Sequence, residues 1–180
     1  MYRCEGCDFS YPLDDAPLAA SAIVAGADRI ARILTDGDAD LRSRRAVGTW
    51  SPLEYGCHVR DVLFAQRERV LLARWFEVPS LYPIGRDERV EFEGYAEQDP
   101  SDVSRQLRDG AALFANVLDR LPPAAWDRRV VYNYPVPRER SLRWVAAHTL
   151  HEIRHHLMDV ESQLAVPDGS GRGPDGHEDR

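Results

Sequence analysis

The segment 148–160, HTLHEIRHHLMDV, concentrates side chains of the kind that bind metal ions. It contains four of the six histidines of the chain and two acidic residues, which are His148, His151, Glu152, His155, His156 and Asp159. Imidazole nitrogens together with carboxylate oxygens are suitable ligands for zinc, nickel, iron(II) and manganese. Several of these residues are one helical turn apart, so the segment predicts a metal site without selecting its ligands.

Four segments have the apolar periodicity of amphipathic helices, and they must position these side chains. They span residues of about 16–34, 51–75, 99–121 and 141–164. The second and third begin at 51-SPLE-54 and 99-DPSD-102, where a polar residue that can cap a helix precedes proline. The connections 76–99 and 122–140 exceed the usual length of bundle loops, so we expect them to carry short strands or to cover one end. The pattern predicts an all-α four-helix bundle with long, partly irregular connections.

The regions that flank the bundle differ from it in composition. Residues 1–13 form an N-terminal segment with a Cys-x-x-Cys pair, and we expect the bundle to occupy residues 14–165. Residues 166–180 are rich in glycine, proline and charged residues, a composition typical of a disordered tail.

The net charge of the chain is −7, which weighs against a nucleic-acid partner because phosphate binding requires a basic surface. No apolar run approaches the roughly 20 residues that span a bilayer. The N-terminal residues also lack the apolar core of a signal peptide. We therefore expect a cytoplasmic protein without nucleic-acid or membrane partners.

The chain has three cysteines, and an odd number does not form a disulfide framework. Cys4 and Cys7 have the spacing of half a zinc ribbon. Three interpretations stay open for this pair: a zinc half-site completed by histidine, a redox pair, or two thiols in a loop. Cys57 lies within the second predicted helix, where a small buried side chain is the expected role.

A helical wheel at about 100° per residue separates the candidate ligands of the fourth helix. Glu152 and His156 fall on the inward face, one turn apart, and Asp159 lies at the edge of that face. His151 points away from it. A metal ion requires at least three protein ligands, and His58 is the remaining histidine inside a predicted helix, so it becomes the expected third ligand.

Other ligand sets stay open, because a shift of one residue in the helix phase would change the inward pair. The alternates are His151 with His155, which have the H-E-x-x-H spacing of zinc proteases, and His148. In the protease interpretation Glu152 would be a general base. The simplest interpretation involves no metal at all, with hydrogen-bonded histidines beside a charged helix face.

The residues of the second and fourth helices resemble a known family. The segment 50-WSPLEYGCHVRDV-62 resembles the helix-two signature of the DinB-like superfamily of small bundle proteins, whose W-S-x-x-E-x-x-x-H histidine is a metal ligand. That histidine is His58 here. The fourth-helix signature is H-x-x-H-H-x-x-Q, and superposing the paired histidines puts its ligands on Glu152 and His156, with Asp159 in place of the glutamine.

Two further segments of the chain resemble particular groups of proteins within or related to this superfamily. The segment 152-EIRHHLMDV-160 is similar to the E-V-x-x-H-x-x-D-L motif of mycothiol-dependent maleylpyruvate isomerases, which again implies Glu152 and His156 as ligands. The segments 4-CEGCDFSYP-12 and 95-YAEQDP-100 resemble an actinobacterial subgroup of DinB-like proteins that begins C-x-x-C-G-F. Asp8 replaces the glycine of that motif.

The resemblance implies a divalent-metal-binding protein that acts on small molecules. The expected activity is a metal-dependent thiol S-transferase or isomerase that joins a small thiol, such as mycothiol, to small electrophiles. Asp159 would orient a metal ligand by hydrogen bonding to it, and Tyr132, Tyr134 and Arg138 in the loop before the fourth helix would contact the substrate. Hydrolysis by a metal-activated water is a neighbouring expectation, and a non-catalytic metal-binding bundle is the alternative. Because such bundles are commonly dimers, the resemblance also implies a homodimer.

Overall fold

Four long helices and one short helix make up most of the computed structural model, which describes residues 3–37, 39–133 and 136–165. The helices are α1 (Ala19–Ile33), α2 (Pro52–Trp75), α3 (Arg86–Phe92), α4 (Pro100–Asp119) and α5 (Leu142–Ala165). Single 3-10 turns occur at Ala16–Leu18, Tyr95–Glu97 and Pro123–Asp127. The four helices expected from the sequence are therefore present, and α3 is an additional helix in the long connection between α2 and α4.

The start of α2 is fixed by the residues that the sequence pattern singled out. The Ser51 hydroxyl accepts a hydrogen bond from the backbone N–H of Glu54, and the Glu54 carboxylate accepts one from the backbone N–H of Ser51 at 2.7 Å. Pro52 occupies the first helical position. Such reciprocal capping satisfies backbone donors that a helix start leaves unpaired. It also sets the phase of α2, and His58 lies about two turns further along the same helix.

The long helices alternate around the bundle. Helix α1 packs against α4 and α5, and α2 packs against the same two helices, whereas α1 and α2 meet only marginally. This order makes α2 and α5 direct neighbours. His58 on α2 therefore faces the histidine-rich helix without a long side-chain reach.

A small three-stranded sheet corrects the expectation of a strictly all-α fold. Its strands are β1 (Ser80–Leu81), β2 (Arg129–Tyr132) and β3 (Arg138–Ser141). Strand β1 pairs with β2 in parallel, and β2 pairs with β3 in antiparallel orientation. The two long connections carry these strands. In β2 the buried Val130 and Tyr132 alternate with the exposed Arg129 and the half-buried Val131, and the paired backbone satisfies its own hydrogen bonds. The expectation of short strands in the connections is thus confirmed.

The N-terminal residues fold back onto the bundle. Arg3 and Ser10 form an antiparallel bridge, and the Cys4 backbone N–H donates to the Phe9 carbonyl at 2.9 Å. We call residues 3–10 the N-terminal hairpin. Phe9 and Tyr11 are buried in the same hydrophobic core as the long helices, so the segment adds a layer over α5. The predicted tail at 166–180, which includes His177, lies outside the described residues.

No helix among residues 3–37, 39–133 and 136–165 combines the length and hydropathy that a membrane span requires.

Helices α1 and α5 approach closely at Gly26, and this contact gives a first prediction. A Cβ atom at Gly26 would lie 2.5 Å from Cγ2 of Ile153, which is the neighbour of Glu152. We expect Gly26→Ala to lower the free energy of unfolding by about 1–3 kcal/mol, because a β-branched partner in a packed core cannot move aside. Urea unfolding of the purified variant measures this change.

Gly110→Ala is the matched control, since it also introduces alanine into a helix interior. A Cβ atom at Gly110 would meet Cβ of Leu63 at 3.4 Å, an ordinary van der Waals contact. This variant should be neutral or more stable by up to about 1 kcal/mol, owing to the higher helix propensity of alanine. Equal unfolding midpoints for the two variants would contradict the close α1–α5 contact.

Candidate metal centre

Three side chains from two neighbouring helices converge at the base of a cavity of about 360 Å³. His58 comes from α2, and Glu152 and His156 come from successive turns of α5. Nε2 of His58 lies 3.8 Å from Oε2 of Glu152, and Nε2 of His156 lies 3.5 Å from the same oxygen. We call His58, Glu152 and His156 the triad; one ligand atom of each lies within 4.8 Å of the others.

The triad distances fit metal ligation better than direct hydrogen bonding. Hydrogen bonds from N–H to oxygen are normally about 2.7–3.2 Å long, shorter than both distances. Ligands about 2.0–2.1 Å from a common metal ion in tetrahedral geometry are separated by about 3.4 Å. Two imidazoles and one carboxylate also form the donor set of many zinc and iron(II) sites. The residues present therefore fit a divalent metal ion.

Burial and mutual contact set the charges of the triad. His58 is 2% exposed, and this burial lowers the pKa of its imidazole, so the ring is neutral. Burial would raise the pKa of Glu152, but its contacts with the imidazoles of His151, His156 and His58 outweigh burial and hold that pKa well below its usual range. His58 and Glu152 therefore have the charges that metal binding requires, neutral imidazole and ionised carboxylate, whereas a protonated His156 would release its proton on binding.

The ring of His58 is held by aromatic packing. It lies between Trp50 and His156, with ring centroids 5.2 and 4.8 Å away. Its Nδ1 atom is buried without a hydrogen-bond partner among the described residues. Its orientation thus depends on neighbouring rings rather than on a hydrogen bond.

Asp159 contacts one member of the triad, His156. Its Oδ2 atom lies 2.9 Å from Nδ1 of His156, which leaves Nε2 of that ring directed at Glu152. A carboxylate in this position fixes the orientation of a metal-binding imidazole and increases its basicity. Burial disfavours the charged ring, but contacts with Asp159 and Glu152 prevail and raise the pKa of His156 to about 9.

The raised pKa of His156 predicts how the stability of the metal-free protein depends on pH. The folded-state pKa of about 9 exceeds the unfolded value of 6.5. The protonated ring therefore stabilises the fold below about pH 6.5, and this contribution, roughly 3 kcal/mol at most, is lost as the pH rises through 9. Urea unfolding between pH 6 and 10 with a chelator present measures it.

His156→Gln separates this contribution from the other groups that titrate in the same range. The difference in unfolding free energy between wild type and variant should be largest at pH 6 and should shrink toward pH 10. A difference that does not change with pH would contradict the assignment.

The other histidines of α5 lie on the side that faces the N-terminal hairpin. His151 was expected to point away from the inward face, but it lines the same cavity as the triad, and its Nδ1 atom lies 3.6 Å from Oε1 of Glu152. The N-terminal residues cover it, so it is not exposed to solvent as the wheel implied. Tyr11 Oη lies 2.9 Å from Nδ1 of His148 and 3.1 Å from Nδ1 of His151. The His148 ring stacks on Trp144 at 4.5 Å, and burial lowers the pKa of His148 to about 4.

The N-terminal cysteines lie beside the remaining histidines, with Cys4 Sγ 3.8 Å from Nδ1 of His155. Burial of Cys4 acts against ionisation, but the His151 contact and backbone hydrogen bonds lower the pKa of its thiol to about 7. Cys57 is fully buried, and burial raises the pKa of its thiol to about 12. The expected role of Cys57 as a small core side chain agrees with this environment.

The wall of the cavity contains one residue that the sequence singled out, Tyr132, and several that it did not. Tyr132 lines it, and its hydroxyl accepts hydrogen bonds from Gln66 at 3.1 Å and Arg69 at 2.9 Å. Arg86 also lines the cavity. No periodicity or motif distinguishes Arg69 or Arg86 from ordinary helix residues. Of the other loop residues expected at the substrate, Arg138 is exposed outside the cavity lining, and Tyr134 lies outside the described residues.

Comparisons with known proteins agree with this architecture. YfiT from Bacillus subtilis, described as a probable metal-dependent hydrolase with an unusual four-helix bundle topology, matches with a TM-score of 0.73 and 15% identity over 90% of this chain and 91% of that chain. A mycothiol-dependent maleylpyruvate isomerase matches with a TM-score of 0.60 and 17% identity over 87% of this chain and 62% of that chain. At these identities the likeness concerns the fold.

Comparison with curated protein sequences found no match. The family model of the DinB superfamily matches residues 25–160, a range that contains every residue of the triad. The chain therefore belongs to the DinB superfamily, as the signatures of α2 and α5 implied.

Proposed function

We propose that the chain is a metal-dependent enzyme that transfers a small thiol, of the mycothiol type, to small electrophiles or isomerises them through a thiol adduct. The strongest support is the triad geometry, in which His58, Glu152 and His156 converge at distances suited to a shared divalent ion. The set suits zinc, nickel, iron(II) or manganese. When bound, such an ion would lower the pKa of a thiol so that the nucleophilic thiolate forms near neutral pH.

The residues around the triad would prepare this chemistry. Glu152 stays ionised and contributes the negative charge of the ligand set. Asp159 hydrogen-bonds Nδ1 of His156 and so directs Nε2 toward the ligand position. This arrangement is typical of metal sites in which a carboxylate holds the imidazole in one tautomer.

The cavity supports a substrate larger than water. Its volume of about 360 Å³ exceeds the roughly 30 Å³ that one water molecule occupies in the liquid. Arg69 and Tyr132 present polar groups on its wall, and Arg86 adds a second guanidinium. Guanidinium groups favour anionic substrates, so carboxylate-bearing thiols or electrophiles are the expected ligands.

The first test is elemental analysis of the purified full chain beside His58→Ala. We expect a divalent metal in the wild type and loss of one metal equivalent in the variant. Glu161→Gln, an exposed carboxylate on the same helix, is the control and should keep the wild-type content. Metal content unaffected by His58→Ala would overturn the triad as a metal site.

The second test separates the proposed enzyme from its rivals. We expect the metal-loaded protein to consume electrophiles only when a small thiol is present. Turnover of esters or amides without thiol would instead favour hydrolysis, the activity that the description of YfiT suggests for that protein. Metal binding without any turnover would favour the non-catalytic bundle, with a structural, sensing or dimerisation role.

A further inference from the structure

A second group of metal-binding side chains lies outside the triad, where the N-terminal hairpin meets α5. It consists of two cysteines and two histidines: Cys4, Cys7, His151 and His155. One ligand atom from each lies within 4.8 Å of all the others. We propose that these four residues form a second metal site, a closed zinc site that fastens the hairpin to α5. It uses no residue of the triad and therefore does not depend on the proposed function.

The hairpin has the conformation that presents two sulfurs from one short turn. The backbone hydrogen bond from Cys4 to Phe9 closes the turn, and the bridge between Arg3 and Ser10 continues it. Asp8 adopts the left-handed conformation at φ 56°. Aspartate tolerates this region better than most residues, so it can replace the glycine found in the similar C-x-x-C-G-F segments. Asp8 thus preserves the shape of the turn that carries Cys4 and Cys7.

Gly6 brings the turn directly over the ring of His155. A Cβ atom at Gly6 would lie 2.9 Å from Cε1 of that ring, too close for any other residue without movement. Cys4 Sγ lies 3.8 Å from His155 Nδ1. A sulfur at about 2.3 Å and a nitrogen at about 2.0 Å from one tetrahedral zinc ion are separated by about 3.5 Å. The observed spacing is close to this value.

The two ring nitrogens of His151 differ in their hydrogen bonding. Its Nδ1 atom lies 3.1 Å from Tyr11 Oη, whereas its Nε2 atom is buried without a hydrogen-bond partner among the described residues. A buried polar atom without a partner is costly, and metal binding would satisfy it. An imidazole that uses its second nitrogen for an outer hydrogen bond is the usual arrangement around zinc.

The donor set indicates a structural role. Two cysteines and two histidines supply all four ligands of a tetrahedral zinc ion, which leaves no open position for substrate. On binding, each of the two thiols releases its proton to solvent, and the two thiolates balance the charge of Zn²⁺. Both cysteines are free thiols in the structure, so no bond must break first.

The proposal explains why two pairs of candidate ligands with the same spacing, His151 with His155 and Glu152 with His156, share one helix. His151 and His155 face the N-terminal hairpin, whereas Glu152 and His156 face His58. Two adjacent faces of α5 would thus serve two neighbouring sites, since His151 and His155 also line the cavity of the triad. A zinc ion at the hairpin would fix the rotation of α5 and with it the direction of Glu152 and His156.

Cobalt(II) substitution of the reduced full chain tests the site independently of catalysis. Thiolate ligation gives Co²⁺ a strong sulfur-to-metal charge-transfer absorption. We expect this absorption in the wild type and in His58→Ala, and its loss in Cys7→Ser. Zinc content should fall from about two ions per chain in the wild type to about one in either variant.

Two further variants keep the test decisive. His155→Gln should weaken Co²⁺ binding at the thiolate site at least about tenfold while leaving both thiols in place. Cys57→Ala, which removes the buried thiol of α2, should leave the absorption unchanged, and circular dichroism verifies that each variant is folded. No charge-transfer absorption in the reduced wild type, its persistence in Cys7→Ser, or a zinc-free protein with a Cys4–Cys7 disulfide would overturn the site. Absence of thiol-dependent turnover would contradict the proposed function alone.

Discussion

Replacing Glu152 with glutamine is expected to reduce metal affinity at the triad by at least about 100-fold. Substitutions of outer-shell partners alone cost roughly 10–100-fold, and Glu152 would be a direct ligand. Its carboxylate contacts both His58 and His156, and glutamine keeps the shape while removing the charge. Competition against a chelator of known affinity measures the change. The competition is measured in proteins that also carry Cys7→Ser, so that metal bound by Cys4 and Cys7 does not contribute.

Glu161→Gln is the matched control for this prediction. Glu161 lies on the same helix, and its exposed carboxylate pairs with Arg29 at 2.5 Å. Its replacement should leave metal affinity within about twofold, because exposed ion pairs contribute little to a distant buried site. Similar affinities for Glu152→Gln and Glu161→Gln would exclude Glu152 as a ligand.

The second large effect is expected from Asp61→Ala, one turn beyond His58 on α2. The Asp61 carboxylate accepts hydrogen bonds from Arg60 at 2.8 Å, Arg89 at 3.1 Å and the Tyr95 hydroxyl at 2.5 Å. Arg60 is buried, so removing Asp61 leaves a guanidinium without its counter-charge. We expect the free energy of unfolding to fall by roughly 3–5 kcal/mol, a large part of the stability of a typical domain. Urea unfolding measures it.

Asp109→Ala provides the comparison within α4. Asp109 pairs with Arg105 at 3.6 Å, and both side chains are about 60% exposed. Its removal should cost no more than about 1 kcal/mol, since water screens an exposed pair. If the two variants unfolded at the same urea concentration, the buried cluster around Asp61 would not stabilise the fold as inferred. Asp61 also ties α2 to α3, whose first residues line the cavity, so its loss should reshape the substrate wall.

Local chemistry in the sequence was sufficient to place the long helices. The caps at Ser51 and Asp99 act within three residues, so their effect is visible in the sequence itself. The shared direction of Glu152 and His156 could be predicted for the same reason, because residues four apart lie on one face of a helix wherever that helix packs.

Contacts between segments that lie far apart along the chain could not be predicted from local sequence patterns. The sheet joins strands about fifty residues apart, and nothing in Ser80–Leu81 indicates a strand without its partner β2. Gln66 and Arg69 become part of the cavity wall only because β2 places Tyr132 against α2. The environment of His151 likewise depends on the N-terminal residues, which a helical wheel of the fourth helix does not include.

For this protein, the sequence by itself determined the DinB-type bundle and the start of each capped helix, and it favoured Glu152 and His156 as the inward pair on α5, since these follow from periodicity and short motifs. Only the tertiary structure decided that His58 meets that pair across the α2–α5 interface, and that the N-terminal hairpin covers the adjacent face of α5, which carries His151 and His155. The reason is physical: helix phase is set by neighbouring residues, whereas packing partners are set by burial of surfaces that lie far apart along the chain.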